Sequence, residues 1–153
     1  MFDYNSNMFY VLATPIGNLG DITLRAIETL KSADLIIAED TRVTKKLLAH
    51  FDIHKPLLSY REEVHTKVLP KIIHELHKDH NLVLVTDAGT PAISDPGARL
   101  VRAVRAEGFT IIPIPGVSAV ATLISVAGVS CAEYIFVGFP PHKKGRETFF
   151  KKY

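Results

Sequence analysis

The sequence predicts an α/β domain built on an open, mainly parallel sheet of five strands, doubly wound with helices on both faces. Three observations carry this. Short apolar runs alternate along the chain with longer stretches whose apolar residues recur at helical spacing. The runs are nearly free of polar residues, which marks strands buried on both faces, and parallel strands need crossover helices to connect them. Several runs end in glycine- or proline-bearing loops that lead straight into a helical pattern, as strand-to-helix turns do in such sheets.

In chain order, Phe9 to Ala13 is the first strand. Asp21 is an expected N-cap, and Ile22, Ala26, Ile27, Leu30 and Ala33 then fall on one helical face. Leu35 to Ala38 is the second strand, and Thr44 to Phe51 a short helix with Leu47, Leu48 and Phe51 inward. Pro56 to Tyr60 is a third strand. Val64, Val68, Leu69, Ile72, Ile73 and Leu76 mark a helix in which Pro70 sets a kink or the true start. Leu82 to Thr86 is the fourth strand. Asp95 as N-cap, with Pro96 at the first helical position, opens a helix carrying Leu100, Val101 and Val104. Thr110 to Pro113 is the fifth strand and Ser118 to Ala127 a largely apolar helix. Beyond Val129 the alternation stops. Tyr134 to Phe139 is strand-like, Pro140, Pro141 and the basic run His142 to Arg146 read as a loop, and Thr148 to Tyr153 begins another helix. Residues 1–7 are polar and read as an extension, and 8–139 as the α/β domain.

A chain of 153 residues, 47% apolar and 22% charged, has the composition of an ordinary globular domain. Its net charge of +2 does not announce a nucleic-acid binder, so any RNA contact must come from a local patch such as the basic run 142–152. Cys131 is the only cysteine, which excludes an internal disulfide, suits a cytoplasmic home and reads as a small buried hydrophobe. The longest apolar stretch, Val117 to Val129, is broken by Ser118, Thr122 and Ser125 and is shorter than the roughly 20 residues a membrane span needs. No secretory signal is expected. His74, His77 and His80 read as a solvated helix side, and no metal site is expected.

Function is expected at four strand ends. The loop 85–97, Val-Thr-Asp-Ala-Gly-Thr-Pro-Ala-Ile-Ser-Asp-Pro-Gly, bunches hydroxyls and carboxylates (Thr86, Asp87, Thr90, Ser94, Asp95) around Gly89, Pro91 and Gly97. The loop 13–21, Ala-Thr-Pro-Ile-Gly-Asn-Leu-Gly-Asp, bears glycines but neither the G-x-G-x-x-G dinucleotide fingerprint nor a phosphate-loop motif, which disfavours those two enzyme classes. In the loop 114–121, Gly116 allows close backbone approach and Ser118 can cap a helix. Glu39-Asp40-Thr41-Arg42 adds two carboxylates and a guanidinium, suited either to substrate positioning and proton handling or to an internal ion pair and cap. In a parallel sheet these ends share one edge, where such folds put their ligands.

Four segments in this order, Ala13 to Asp21, Ala38 to Arg42, Thr86 to Gly97 and Pro115 to Ala119, resemble the tetrapyrrole-methylase (class III) methyltransferases. Thr14-Pro15-Ile16-Gly17 and Gly89-Thr90-Pro91 are similar to the branch that 2′-O-methylates a cytidine of small-subunit ribosomal RNA, rather than to the corrin and porphyrin branches. The resemblance implies S-adenosylmethionine as cofactor, held by Pro15, Asp87, Ala88, Gly89, Thr90, Ile93, Ser94, Ser118 and Ala119. It also implies a homodimer, no membrane, and a second domain beginning within 140–153 that closes over the cofactor, without which the chain is expected to be weakly active or inactive. A carboxylate that takes the hydroxyl proton is expected among Asp95, Glu39 and Asp40, and Arg42 is a candidate RNA-phosphate ligand. A small-molecule methyltransferase acting on a corrinoid, and a non-catalytic nucleotide-binding module, are the competing readings.

Overall fold

The computed structural model describes residues 8–152; the polar extension expected at 1–7 lies outside them. Five strands, β1 (Phe9–Leu12), β2 (Leu35–Ala38), β3 (Leu57–Ser59), β4 (Leu82–Val85) and β5 (Ile111–Ile114), form one sheet in the order β3-β2-β4-β1-β5. Every pairing is parallel, so the sheet is wholly rather than mainly parallel. The helices are α1 (Leu24–Ser32), α2 (Thr41–His50), α3 (His65–Leu76), α4 (Gly97–Ala106), α5 (Ala119–Val126) and α6 (Arg146–Lys152).

The apolar runs are explained by two cores, one on each face. Successive strand residues point to opposite faces. Tyr10, Leu12, Ile36, Ala38, Val83 and Val85 pack with Ala26 and Leu30 of α1 and Leu48 of α2. Phe9, Leu35, Ile37, Leu82 and Leu84 pack with Ile72 and Leu76 of α3 and with Leu100 and Val104 of α4. In β2 and β4, where both faces are covered, all four residues are buried and none tolerates a solvated side chain; at the edges Ser59 of β3 and Pro113 of β5 are exposed.

The strand order places the switch point between β1 and β4. From β1 the chain crosses toward β2 and β3, whereas from β4 it crosses the other way toward β5. Adjacent strands whose connections diverge leave a crevice at their carboxyl ends, the usual ligand position in open α/β sheets.

Several element ends differ from expectation for local reasons. Asn18 accepts from the Gly20 amide, winding Leu19–Asp21 into a short turn, so Asp21 is not the cap of α1. Thr23 is, accepting from Ala26 N at 3.1 Å. α2 starts three residues earlier than expected because Asp40 caps it through Arg42 N. α3 neither starts at Pro70 nor ends there. Thr66 and Pro70 are both exposed, so water is at hand for the carbonyl that the proline leaves without an N–H. Tyr134 to Phe139 forms no strand; Tyr134, Ile135 and Phe139 are exposed and no described strand pairs with them. α5 likewise buries none of its residues. Cys131 is half-buried, not buried.

At the start of α3 the buried Tyr60 hydroxyl meets His65 Nδ1 at 2.6 Å. Burial, then the nearby Arg99 guanidinium, holds the His65 pKa below its usual 6.5, while burial and Glu62 push the Tyr60 phenol up to about 12. The unfolded chain therefore takes up a proton on His65 before the folded chain does. Stability is expected to be lost as pH falls below 6.5. Thermal melts across that range check it, and a His65→Gln variant should show a flatter profile; equal slopes would contradict the assignment.

Candidate functional site

The carboxyl ends of β1 and β4 are stitched together by the loops that follow them. Thr14 N donates to Gly89 O at 2.9 Å and Gly89 N to Thr14 O at 3.0 Å, a two-way backbone bridge between residues far apart in sequence. The buried Thr14 hydroxyl adds a bond to Thr86 O at 3.0 Å. Gly89 adopts φ +81°, a conformation that disfavours side chains. The third loop closes on the same place: Ala13 N donates to Ile114 O, and a Cβ on Gly116 would lie 2.9 Å from Ala13 Cβ. Glycine at 116 is thus required by the approach of the β5 loop to the β1 loop.

The loop after β4 is held by Asp95. Its carboxylate accepts from Ala92 N through both oxygens at 3.0 Å and from Gly97 N at 2.7 Å. Helix α4 begins at Gly97 with Pro96 in the cap position, so Asp95 is not the expected N-cap but acts one residue ahead of it, and it also ties down Ala92, which sits at φ +70°. Gly97 has no room for a side chain, since a Cβ there would stand 2.6 Å from Asp95 Oδ1.

The acidic segment after β2 joins this edge through a different atom. Asp40 N donates to Asp87 Oδ1 at 3.1 Å, linking α2 to the β4 loop. The Asp40 carboxylate caps α2 and is gripped through both oxygens by the Arg42 guanidinium, which holds its pKa far below the usual carboxylate range. Glu39 is different. Its Oε2 accepts only a long bond from the Thr86 hydroxyl at 3.4 Å. Burial raises its pKa above the usual 4.5, and the neighbouring Asp87 and Asp95 carboxylates add to the shift.

The other expected site residues lie along the same edge. Pro15 is buried under the β1 loop, while Asp87, Ala88, Thr90, Ile93 and Ser94 are exposed on the β4 loop. Ser118 caps α5 by accepting from Ala121 N at 3.4 Å, with Ala119 exposed beside it. Two features escaped the sequence reading. One is the Asp87–Asp40 link between residues 47 apart. The other is a cavity of about 260 Å³ on the α2 side of the Thr14–Gly89 bridge, lined by Pro15, Leu19, Val43, Lys46, Leu47 and Asp87 among others. Val43, apolar and one helical turn before Leu47, was its one legible signal. Among the described residues no group of three or more His, Cys, Asp or Glu is placed to hold a metal, and no helix is long and apolar enough to cross a membrane.

Comparison with known proteins agrees with this geometry. Residues 8–151 match the family Tetrapyrrole (Corrin/Porphyrin) Methylases. A protein of Neisseria meningitidis serogroup A named Ribosomal RNA small subunit methyltransferase I is 50% identical over 145 residues, covering 94% of this chain and 50% of that protein. A protein of the same name from Escherichia coli O157:H7 is 43% identical over 150 residues, covering 97% of this chain and 52% of its own length. The chain therefore spans about half the length of the curated relatives it matches. Among solved structures, a cobalt precorrin-4 methyltransferase superposes with TM-score 0.65 at 20% identity, over 84% of this chain and 53% of that one. A uroporphyrin-III-C-methyltransferase from Thermus thermophilus superposes with TM-score 0.61 at 19% identity, over 83% and 54%; both show likeness of fold. With the family matched across nearly its whole length, and its strand-end loops gathered at one switch point, this chain belongs to the tetrapyrrole methylases.

Proposed function

We propose that this chain is the cofactor-binding α/β portion of an S-adenosylmethionine-dependent methyltransferase that methylates the ribose 2′-hydroxyl of a cytidine in small-subunit ribosomal RNA. The observation that carries the reading is the stitched edge: its loops are the segments that set the RNA branch apart, in a chain 50% identical to a relative named for ribosomal RNA methylation. In this reading 8–139 is the α/β domain and 140–153 leads into a second domain, the enzyme is a cytoplasmic homodimer, and Asp87 to Thr90, Ile93, Ser94, Ser118, Ala119 and Pro15 hold the cofactor.

The residues present fit that cofactor. A sulfonium carries positive charge, and Glu39, Asp87 and Asp95 place carboxylates beside one another here. The cofactor supplies, when bound, a methyl group on a sulfur that is already a strong electrophile. The protein's part is alignment, which can contribute roughly 7–11 kcal/mol to lowering such a barrier. Backbone amides disperse the charge of Asp87 and Asp95, so these carboxylates attract a cation without fixing it as a bare ion pair would. Asp40 is committed to its helix cap and to Arg42, and Asp95 to two amides. Glu39 is left as the carboxylate able to take the hydroxyl proton, and its raised pKa brings it closer to that task. The Arg42 side chain is 82% exposed beyond its pairing with Asp40 and can meet an RNA phosphate.

Calorimetric titration of S-adenosylhomocysteine tests the reading. Heat of binding is expected with the parent chain and not with a Thr90→Arg variant, whose side chain would fill the exposed face of the β4 loop. Binding that survives Thr90→Arg unchanged would remove the β4 loop from the cofactor site.

A further inference from the structure

The cavity beside the Thr14–Gly89 bridge is unlike the rest of the edge. Its polar side chains bond inward: the Thr14 hydroxyl to Thr86 O and the Thr44 hydroxyl to Asp40 O at 3.3 Å. What faces the space is therefore mostly apolar, from Pro15, Leu19, Val43 and Leu47. At about 260 Å³ it lies below the range of about 300–1,000 Å³ that takes a whole drug-sized ligand, and it suits one flat heterocycle. Lys46 stands at its lip, one helical turn after Arg42, and has no ion pair among the described residues. Asp87 also lines it. Asp87 Oδ1 is occupied by Asp40 N, whereas Oδ2 has no hydrogen bond among the described residues.

We propose that this cavity receives the base of the target nucleotide, with Pro15, Leu19, Val43 and Leu47 around the ring, Asp87 Oδ2 accepting from an exocyclic amino group, and Lys46 holding the adjoining phosphate. The inference rests on the RNA-methyltransferase reading and names its acceptor subsite. Charge decides between the two nucleosides that the site must meet. A lysine at the lip repels a sulfonium and attracts a phosphate, so the α2 side of the cavity is the acceptor's, and Pro15 and Asp87 stand on the wall it shares with the cofactor. A carboxylate in the lining of such a pocket selects an amino-bearing base, which cytosine is and uracil is not. A methyltransferase acting on a ribose hydroxyl must fix one nucleotide apart from its stacked neighbours, and a pocket for a single base does this.

The test is a set of nuclear magnetic resonance titrations on the isotope-labelled chain. Cytidine 5′-monophosphate is expected to shift the amides of Val43, Thr44, Leu47, Thr86 and Asp87. Uridine 5′-monophosphate should bind about tenfold more weakly. Lys46→Glu should weaken cytidine 5′-monophosphate about tenfold, and as an exposed change it leaves the fold intact. S-adenosylhomocysteine should instead move amides within Gly89 to Ser94 and at Ser118 and Ala119. Shifts at the cavity with cytidine 5′-monophosphate but none anywhere with S-adenosylhomocysteine would uphold the cavity's assignment while counting against the cofactor reading. Unmoved cavity amides with cytidine 5′-monophosphate, equal binding of the two nucleotides, or shifts of Val43, Thr44 and Leu47 caused by S-adenosylhomocysteine would each overturn the inference.

Discussion

Replacing Glu39 by glutamine is expected to lower kcat of the complete methyltransferase by about 100- to 10,000-fold, the usual contribution of a positioned general base. Affinity for S-adenosylhomocysteine should change little, because the glutamine amide preserves shape and can still accept from Thr86. The pH profile gives a second signature. Glu39 must be ionised to accept a proton, and burial together with Asp87 and Asp95 raises its pKa above 4.5. The acid limb of activity is therefore displaced upward from the ordinary carboxylate range, and the variant should lack it. Stability moves oppositely. Between 4.5 and the raised value, the folded state keeps a proton that the unfolded state has released, so the Glu39 contribution is fully present below 4.5 and is lost as pH rises through the folded pKa. At neutral pH the glutamine variant is expected to melt higher than the parent. A variant that melts lower and keeps full activity would show Glu39 to be a structural residue.

The largest stability effect is expected at Asp95. Asp95→Ala removes a charged acceptor from Ala92 N and Gly97 N, both on half-buried or buried residues, and should cost about 2–4 kcal/mol. Urea denaturation at constant slope measures it. S-adenosylhomocysteine binding should weaken in parallel, since Thr90, Ile93 and Ser94 lie on the loop that Asp95 braces. Asp95→Asn keeps one acceptor oxygen and should fall between parent and alanine. This separates bracing from proton transfer: a lost base would abolish turnover in the asparagine variant, whereas lost bracing lowers turnover only in step with the shift in urea midpoint.

What could be read in the sequence follows from what burial demands. Leu35 to Ala38 and Leu82 to Val85 were legible as strands because both faces are covered, so all four residues of each run must be apolar. Helix starts were less legible, because caps compete. Asp21 and Thr23 can both cap α1, and the choice fell to Thr23 only because Asn18 had turned the preceding loop. Tyr134 to Phe139 has strand composition, but strand character needs a neighbour to bond with, and composition cannot supply one. At the site, glycines and prolines announced the loops. The duties of the carboxylates were hidden, because Asp40, Asp87 and Asp95 are distinguished only by which backbone amides reach them after folding.

The place of β1 has a consequence for the order in which the molecule comes together. Of the five strands described it is the first to be synthesised, yet its ladder partners are Leu82 to Leu84 on one side and Ile111 to Ile114 on the other. During synthesis, at about 5–20 residues per second, Phe9 to Leu12 waits for several seconds with no partner strand, and α1 and α2 must form without the sheet that they cover. Loop-closure entropy must be met before these distant pairings return any stabilisation, which makes such sheets slow to fold. The β2–β3 pair, with its strands only some twenty residues apart, is available much earlier as a nucleus. The central strand, and with it the Thr14–Gly89 bridge, is then completed late, so the ligand edge is among the last parts of this sheet to take shape.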